Sequence, residues 1–457
     1  MARVGRDENW IDALLNLAPR LPPGLRVWMA RRAAARGLGA PALRAAPGDP
    51  WVLTRLGLHA RAVATRGGGR TGAFARGAAA AALGDLDQAR RWHKASGGLS
   101  RSERRLLASS AAPFDPRLAL SLLPSSDAAN QAACALAAHD FDLARALLEG
   151  AEETQQTRFL AGALAAWRGD WRGARVALNR AFAADGLSAP LEPDTEDPTT
   201  LRAFAEVRPT YSVDGPLVSV VMAARDAAAT LDLAAGSLLT QTWRNVEVIV
   251  VDDHSADTTR SVAHRLAEQD GRLRILSNLR TPGAYGARNT GLDAARGAFI
   301  ALHDADDWAH PQRLERQMRI LEPDKGLTLC RHVRVDLSGR PLCPRVFPFV
   351  RLSPITATAR AEAWKVLGPF DEVPVGADSE WVARFDARFG RRAAPRTREV
   401  GLVALWAPHS LSASAASGLL GEGLKARVDY VETWRRRHAR LGWGVAPIGA
   451  PRDDVKP

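Results

Sequence analysis

Residues 246–259 read VEVIVVDDHSADTT, and residues 298–308 read AFIALHDADDW. Each opens as a short apolar run and ends abruptly in carboxylates. A run of that length without polar alternation suits a strand buried on both faces. Pro216–Ala224 (PLVSVVMAA) and Leu273–Leu276 have the same character. Helical stretches fall between and after them: Ala228–Leu239, Thr258–Gln269 and Ala287–Ala295. The alternation predicts an α/β fold with a mixed, mostly parallel sheet and helices on both faces. In such sheets ligands gather beyond the carboxyl ends of the strands. The residues found there are Asp252 and Asp253, then Asp304, Asp306 and Asp307. Three carboxylates within four residues repel one another, and a divalent cation relieves that repulsion. Mn²⁺ and Mg²⁺ prefer hard oxygen ligands and accept carboxylates together with diphosphate oxygens. The same residues admit a plainer reading. Asp304–Asp307 would be a solvated turn before a helix from Pro311, and Asp252–Thr259 an Asx-turn with Ser255 or Asp257 as N-cap.

From Pro216 to about Leu321 the chain resembles glycosyltransferase family 2, whose catalytic domain has the GT-A fold. The resemblance is carried by PLVSVVMAARDAAATL, SLLTQTWRNVEVIVVDDHSADTT and GAYGARNTGLDAARGAFIALHDADDW. It implies inverting transfer of a sugar from a nucleotide-diphosphate donor to an acceptor hydroxyl. It also implies roles for particular residues. Asp253 would bond the nucleotide base, with Asp252 beside it. Asp306 would bind the metal, Mn²⁺ or Mg²⁺, with Asp304 and Asp307 adjacent. Arg288 and Asn289 would lie near the diphosphate or donor sugar, and Gly283, Gly286 and Gly291 would allow close backbone approach. The first strand departs from the family's Pro-Thr-Tyr-Asn, reading Ala223-Ala224-Arg225-Asp226.

Inverting transfer needs a base for the acceptor hydroxyl, whereas a metal-bound diphosphate leaves without a separate acid. The resemblance places that base at Asp378, in GADSEWVAR, with Ala377 where the family usually has Glu and Glu380 as the fallback. Asp378 and its neighbours would otherwise only complement a helix N-terminus. WAPHS (406–410) resembles a late family segment whose His meets the diphosphate, which makes His409 a further metal-site candidate. The acceptor implied is a growing surface glycan, or a lipid or protein carrying one. The rival reading is a non-catalytic helical-repeat scaffold with a degenerate transferase domain. A nucleotidyltransferase is disfavoured, because Ala223–Asp226 is not a glycine-rich basic phosphate loop.

Residues 1–205 are dominated by Ala, Leu and Arg and predict a helical domain, ending in a linker to about 215. Three echoes, GDLDQA (84–89), HDFDLA (139–144) and GDWRGA (169–174), suggest turns between antiparallel helices. In each, an Asp cap would be followed by an Ala on the inner face, as in tetratricopeptide-like hairpins. Residues 216–415 would form the transferase domain, and 416–457 a C-terminal helix and tail packed over it.

The 457 residues are 46% hydrophobic and 25% charged, which argues against wholesale disorder. No run of eighteen apolar residues predicts a transmembrane helix, and the first residues lack the pattern of a secretory signal. Cys134, Cys330 and Cys343 form neither a disulfide framework nor a zinc knuckle and suit a reducing cytoplasm. The formal charge of +12 arises in residues 1–105, which hold 19 Lys and Arg against 7 Asp and Glu. That surplus could draw the chain to the inner face of an anionic membrane. The favoured reading is Arg-rich composition (57 Arg against 5 Lys), with the arginines solvating helix faces. No basic-aromatic motif suggests nucleic-acid binding.

Overall fold

The computed structural model describes residues 21–441 apart from 36–38, 67–68, 95–97, 206–208, 322–324, 409, 415–417 and 420–421. The chain forms two compact units. Among the described residues, one takes 21–127 together with the helix Glu422–Leu441, and the other takes 128–413. Packing therefore divides the chain elsewhere than composition suggested. The helices of 128–204 belong with the sheet, and the last helix belongs with the N-terminal unit.

The second unit is built on a ten-stranded sheet. Its strands are β1 (Val218–Ala224), β2 (Val246–Asp252), β3 (Leu273–Ser277), β4 (Phe299–Asp304), β5 (Asp307–Ala309), β6 (Leu327–Asp336), β7 (Pro341–Leu342), β8 (Arg351–Leu352), β9 (Thr358–Arg360) and β10 (Arg396–Trp406). The order is β3-β2-β1-β4-β9-β6-β10-β5, with β7 and β8 both paired to β6. β3, β2, β1 and β4 run parallel, as their uninterrupted apolar runs predict. All seven residues of β2 are buried. β9 adds an antiparallel partner to β4, and β5 one to β10, which makes the sheet mixed. One face packs Leu231, Ala234, Ala235 and Leu238 of the helix Leu231–Leu239 against Val218, Val220, Val248 and Val250. On the other face, Gly291 brings the helix Ala284–Ala294 onto the sheet. A Cβ at Gly291 would stand 2.4 Å from Val221 Cγ1.

The three echoes are helix–helix turns of one design. Gly84, His139 and Gly169 adopt left-handed backbone (φ 99°, 58° and 81°). The following Asp N–H then reaches back five residues, from Asp85 to Ala80, Asp140 to Ala135 and Asp170 to Ala165, at 2.9–3.0 Å. These bonds satisfy the carbonyls that a helix end leaves open. Asp140 and Asp170 then cap the next helices, accepting from Leu143 N at 3.2 Å and Gly173 N at 2.8 Å. Ala89, Ala144 and Ala174 are buried, as the pattern predicts.

In the second unit the helical segment buttresses the sheet. Phe182 stacks on His310, with centroids 5.5 Å apart, and Phe204 lies 5.3 Å from Trp308. Trp167 Nε1 donates to Pro341 O at 2.9 Å, and Gln156 exchanges two hydrogen bonds with the Val350 backbone. The helix Glu422–Leu441 was expected over the transferase domain. Instead its Glu432 accepts from Arg61 N at 3.1 Å, satisfying an open N–H in the first turn of the helix His59–Ala64. No helix among the described residues is long and apolar enough to cross a membrane.

Candidate active site

Strand register gathers the acids. Ala224 of β1 pairs with Asp252 of β2, and Ala223 pairs with Asp304 of β4. Asp252 and Asp304 thus stand at one sheet edge, two strands apart, or about 10 Å at the usual strand spacing. The chain then turns at Ala305-Asp306 and enters β5, so Asp307 begins a strand and is not part of a solvated turn. Ligand atoms of Asp304, Asp306 and Asp307 all lie within 4.8 Å of one another. Burial, with the Asp304 charge second, pushes Asp306 up to about 7. Burial also raises Asp307, followed by the charges of Asp306 and Asp304. Asp307 Oδ1 accepts from Leu405 N of β10 at 3.1 Å.

The acids rest on a cationic floor that sequence reasoning missed. Arg313, fully buried, donates to His303 Nδ1 at 2.9 Å and to Leu302 O at 2.7 Å. Arginine has only donors, so His303 Nδ1 accepts, and its Nε2–H donates to Asp307 O at 3.2 Å. His303 is held neutral, chiefly by burial. Arg334 on β6 is aligned with Ala404 of β10, which pairs with Asp307. Its guanidinium lies 5.5 Å from the Trp406 ring centre.

Arg288 and Asn289 diverge in use. Arg288 is buried and donates from Nη2 to Asp304 Oδ1 at 2.6 Å, while its Nε has no hydrogen-bond partner. Asn289 holds the loop before the helix Ala377–Phe389. It donates to Phe370 O at 3.0 Å and accepts from Phe370 N at 2.9 Å. Glu372, also absent from the sequence reading, accepts from Asn289 at 3.2 Å and from Arg280 at 3.2 Å.

Asp253 is similarly committed. Its Oδ1 accepts from Asn278 at 2.6 Å and its Oδ2 from Gly283 N at 2.8 Å. Asp252 Oδ1 is buried without a hydrogen-bond partner. Beside them, Asp226 Oδ1 accepts from Ala256 N at 2.7 Å, and Ala227 N donates to Thr259 Oγ1 at 2.7 Å. The divergent first loop is thereby tied to the loop after β2. Gly286 makes a close approach within the protein: a Cβ there would sit 1.9 Å from Thr281 O.

Asp378 opens the helix Ala377–Phe389 and is half-buried. Tyr285 Oη donates to Asp378 Oδ1 at 3.1 Å. Two turns of the same helix anchor it from behind through Trp381 and Phe385, and Trp381 stacks on Trp364 at 3.7 Å. Glu380 is fully buried and paired with Arg384. His409 lies outside the described residues.

Residues 219–367 match the profile of the family described as Glycosyl transferase family 2. The chain carries a family 2 glycosyltransferase domain. Over 109 residues the chain is 40% identical to the Escherichia coli UDP-Glc:alpha-D-GlcNAc-diphosphoundecaprenol beta-1,3-glucosyltransferase WfgD, covering 24% of this chain and 42% of that protein. Over 103 residues the identity to the succinoglycan biosynthesis protein ExoO of Rhizobium meliloti is 45%, covering 22% of this chain and 29% of ExoO. The chain spans about a quarter to a half of the length of the curated relatives it matches. Among solved structures, the glucosyl-3-phosphoglycerate synthase of Mycobacterium tuberculosis with Mn²⁺ and UDP aligns at 18% identity with a TM-score of 0.38. That alignment covers 50% of this chain and 81% of the synthase.

Proposed function

We propose that this chain is an inverting, metal-dependent glycosyltransferase that moves a sugar from a nucleotide-diphosphate sugar to an acceptor hydroxyl in surface glycan synthesis. The observation that carries this reading is the convergence of Asp304, Asp306 and Asp307 within 4.8 Å at the carboxyl end of β4. A set of three carboxylates and no softer donor fits Mn²⁺ or Mg²⁺. Such an ion, when bound, supplies the positive charge that a departing diphosphate needs. The chain's own groups do the rest. Arg288, pinned by Asp304, adds a fixed cation at the same edge. Asp252 and Asp253 are assigned to the nucleotide, and Asp252 has the unpartnered oxygen. Asp378 takes the proton from the acceptor hydroxyl as that oxygen attacks the anomeric carbon.

The acceptor is assigned to the class of lipid-linked or surface glycans from the names of the relatives. The basic surplus of residues 1–105 would favour an anionic membrane surface as the setting, an attraction that weakens as salt rises. Nucleotide release from UDP-, GDP- and CDP-sugars, with Mn²⁺ and a panel of glycan acceptors, tests the reaction. Release should depend on Mn²⁺ and be lost in Asp306→Ala. Undiminished transfer in excess EDTA would overturn the metal assignment.

A further inference from the structure

Asp378 is the proposed base, and two of the groups around it have their hydrogen bonding fully determined. Gly376 N–H donates to Tyr285 Oη at 3.0 Å. A tyrosine hydroxyl has one proton to give, and it cannot be directed at a donating N–H. The proton therefore points at Asp378 Oδ1, 3.1 Å away. Oδ1 also accepts from Ser379 N at 2.7 Å. Oδ2 makes no hydrogen bond among the described residues, and the carboxylate is only half-buried. One oxygen is anchored twice, and the other is left open.

The tyrosine is itself closely packed. Its ring is buried, lies 5.5 Å from the Phe370 ring and carries the Arg288 guanidinium 4.9 Å above its centre. The preceding residue of the helix, Ala377, is buried and has no polar group with which to orient Asp378. Among the described residues, Tyr285 is the side chain that hydrogen-bonds it.

We propose that Tyr285 is a positioning residue for Asp378, anchoring Oδ1 so that Oδ2 faces the acceptor hydroxyl and receives its proton. The inference rests on the reading of Asp378 as base. In the step it serves, the acceptor oxygen bonds to the anomeric carbon and its proton passes to Oδ2. The anomeric carbon–oxygen bond to the diphosphate breaks, and the nucleoside diphosphate leaves with the electron pair. The Tyr285 hydroxyl keeps its own proton throughout, since burial and the Asp378 charge both raise its pKa.

Tyr285→Phe in the full chain tests this, because it keeps the ring and its contacts while removing the hydroxyl. The expected result is a fall in kcat of about tenfold, the usual scale for losing a hydrogen bond to a charged group. Donor KM and the melting temperature should stay close to those of the parent. A positioning role also predicts non-additivity. In an Asp378→Ala background there is no carboxylate to orient, so adding Tyr285→Phe should cost nothing further. Full kcat in Tyr285→Phe, or the same tenfold loss in both backgrounds, would overturn the inference. Asp378→Asn separates this failure from failure of the base reading. If Asp378→Asn transfers sugar normally, the base assignment is wrong. If it is dead while Tyr285→Phe is normal, only the role of Tyr285 falls.

Discussion

Glu380 and Arg384 form an ion pair inside the helix that presents Asp378, with Arg384 Nε donating to Glu380 Oε1 at 3.1 Å. Glu380 is fully buried. Arg384 also donates to Leu367 O at 2.8 Å and Pro369 O at 3.0 Å, so the pair ties the helix to the loop before it. Removing one partner of a buried pair strands the other charge at a cost of roughly 3–5 kcal/mol. Glu380→Ala should therefore lower the denaturation midpoint sharply. The folded fraction should keep donor affinity. An unchanged midpoint would show that the pair bears no stability.

Asp378→Asn should leave the fold intact, because the amide oxygen can still accept from Tyr285 and Ser379 N. An amide cannot take the acceptor's proton. Transfer should fall by about a hundredfold or more, the usual contribution of a positioned base. Steady-state rates with saturating donor and acceptor decide it, and near-parental turnover would remove Asp378 from the chemistry.

Two buried histidines predict an acid-sensitive fold. His310 accepts from Gln312 N at Nδ1 (3.1 Å) and faces Ser188 O with Nε2 (3.0 Å), so its ring is neutral. Burial pushes it down to about 4. Burial, with Arg334 and Arg351 beside it, pushes His332 down to about 3. An unfolded histidine titrates near 6.5, so below that pH the unfolded state binds more protons. The stabilising contribution is complete above about 6.5 and is lost as pH falls towards 4, by up to about 1.4 kcal/mol per histidine for each pH unit. Urea midpoints at pH 7.5 and pH 5 check this. Equal midpoints would refute it, and His310→Asn should shrink the difference.

A chain beginning at Ala128 retains the described helices of the second unit and should fold. A chain beginning at Thr210 lacks Phe182 and Phe204, which cover His310 and Trp308. Trp308 follows Asp307 in β5, so losing that cover should loosen the acid triad as well as reduce solubility. Mn²⁺ titration of whatever soluble protein forms gives the comparison. Equal affinity in the two chains would show that the helices do not support the site.

Much of the sheet half was legible because buried parallel strands leave uninterrupted apolar runs, and β1 to β4 lie within two residues of where those runs fall. The acid positions were legible for the same reason, since they end the runs. Partnerships were not. Asp253 and Asn289 read as donor-site residues and Glu380 as the fallback base, and nothing in the sequence announces that they bond Gly283, Phe370 and Arg384. Those partners lie on other elements or in loops, where no periodicity announces them. Tyr285 sits one place before Gly286 in a string whose glycines drew attention, and its partner is 93 residues away. His303 and Arg313 read as ordinary strand and helix residues until the fold stacks one beneath the other.

β10 lies between β6 and β5 and pairs with the strand that begins at Asp307. It begins at Arg396, beyond the stretch that matches the family profile. The length of gene that ancestry has kept recognisable is thus shorter than the length of polypeptide that must close up to make a site. A shuffled or horizontally acquired fragment confined to the recognisable part would encode the three acids without the strand that holds the last of them. Substitutions in that late segment should therefore tell on the chemistry as heavily as those in the conspicuous motifs.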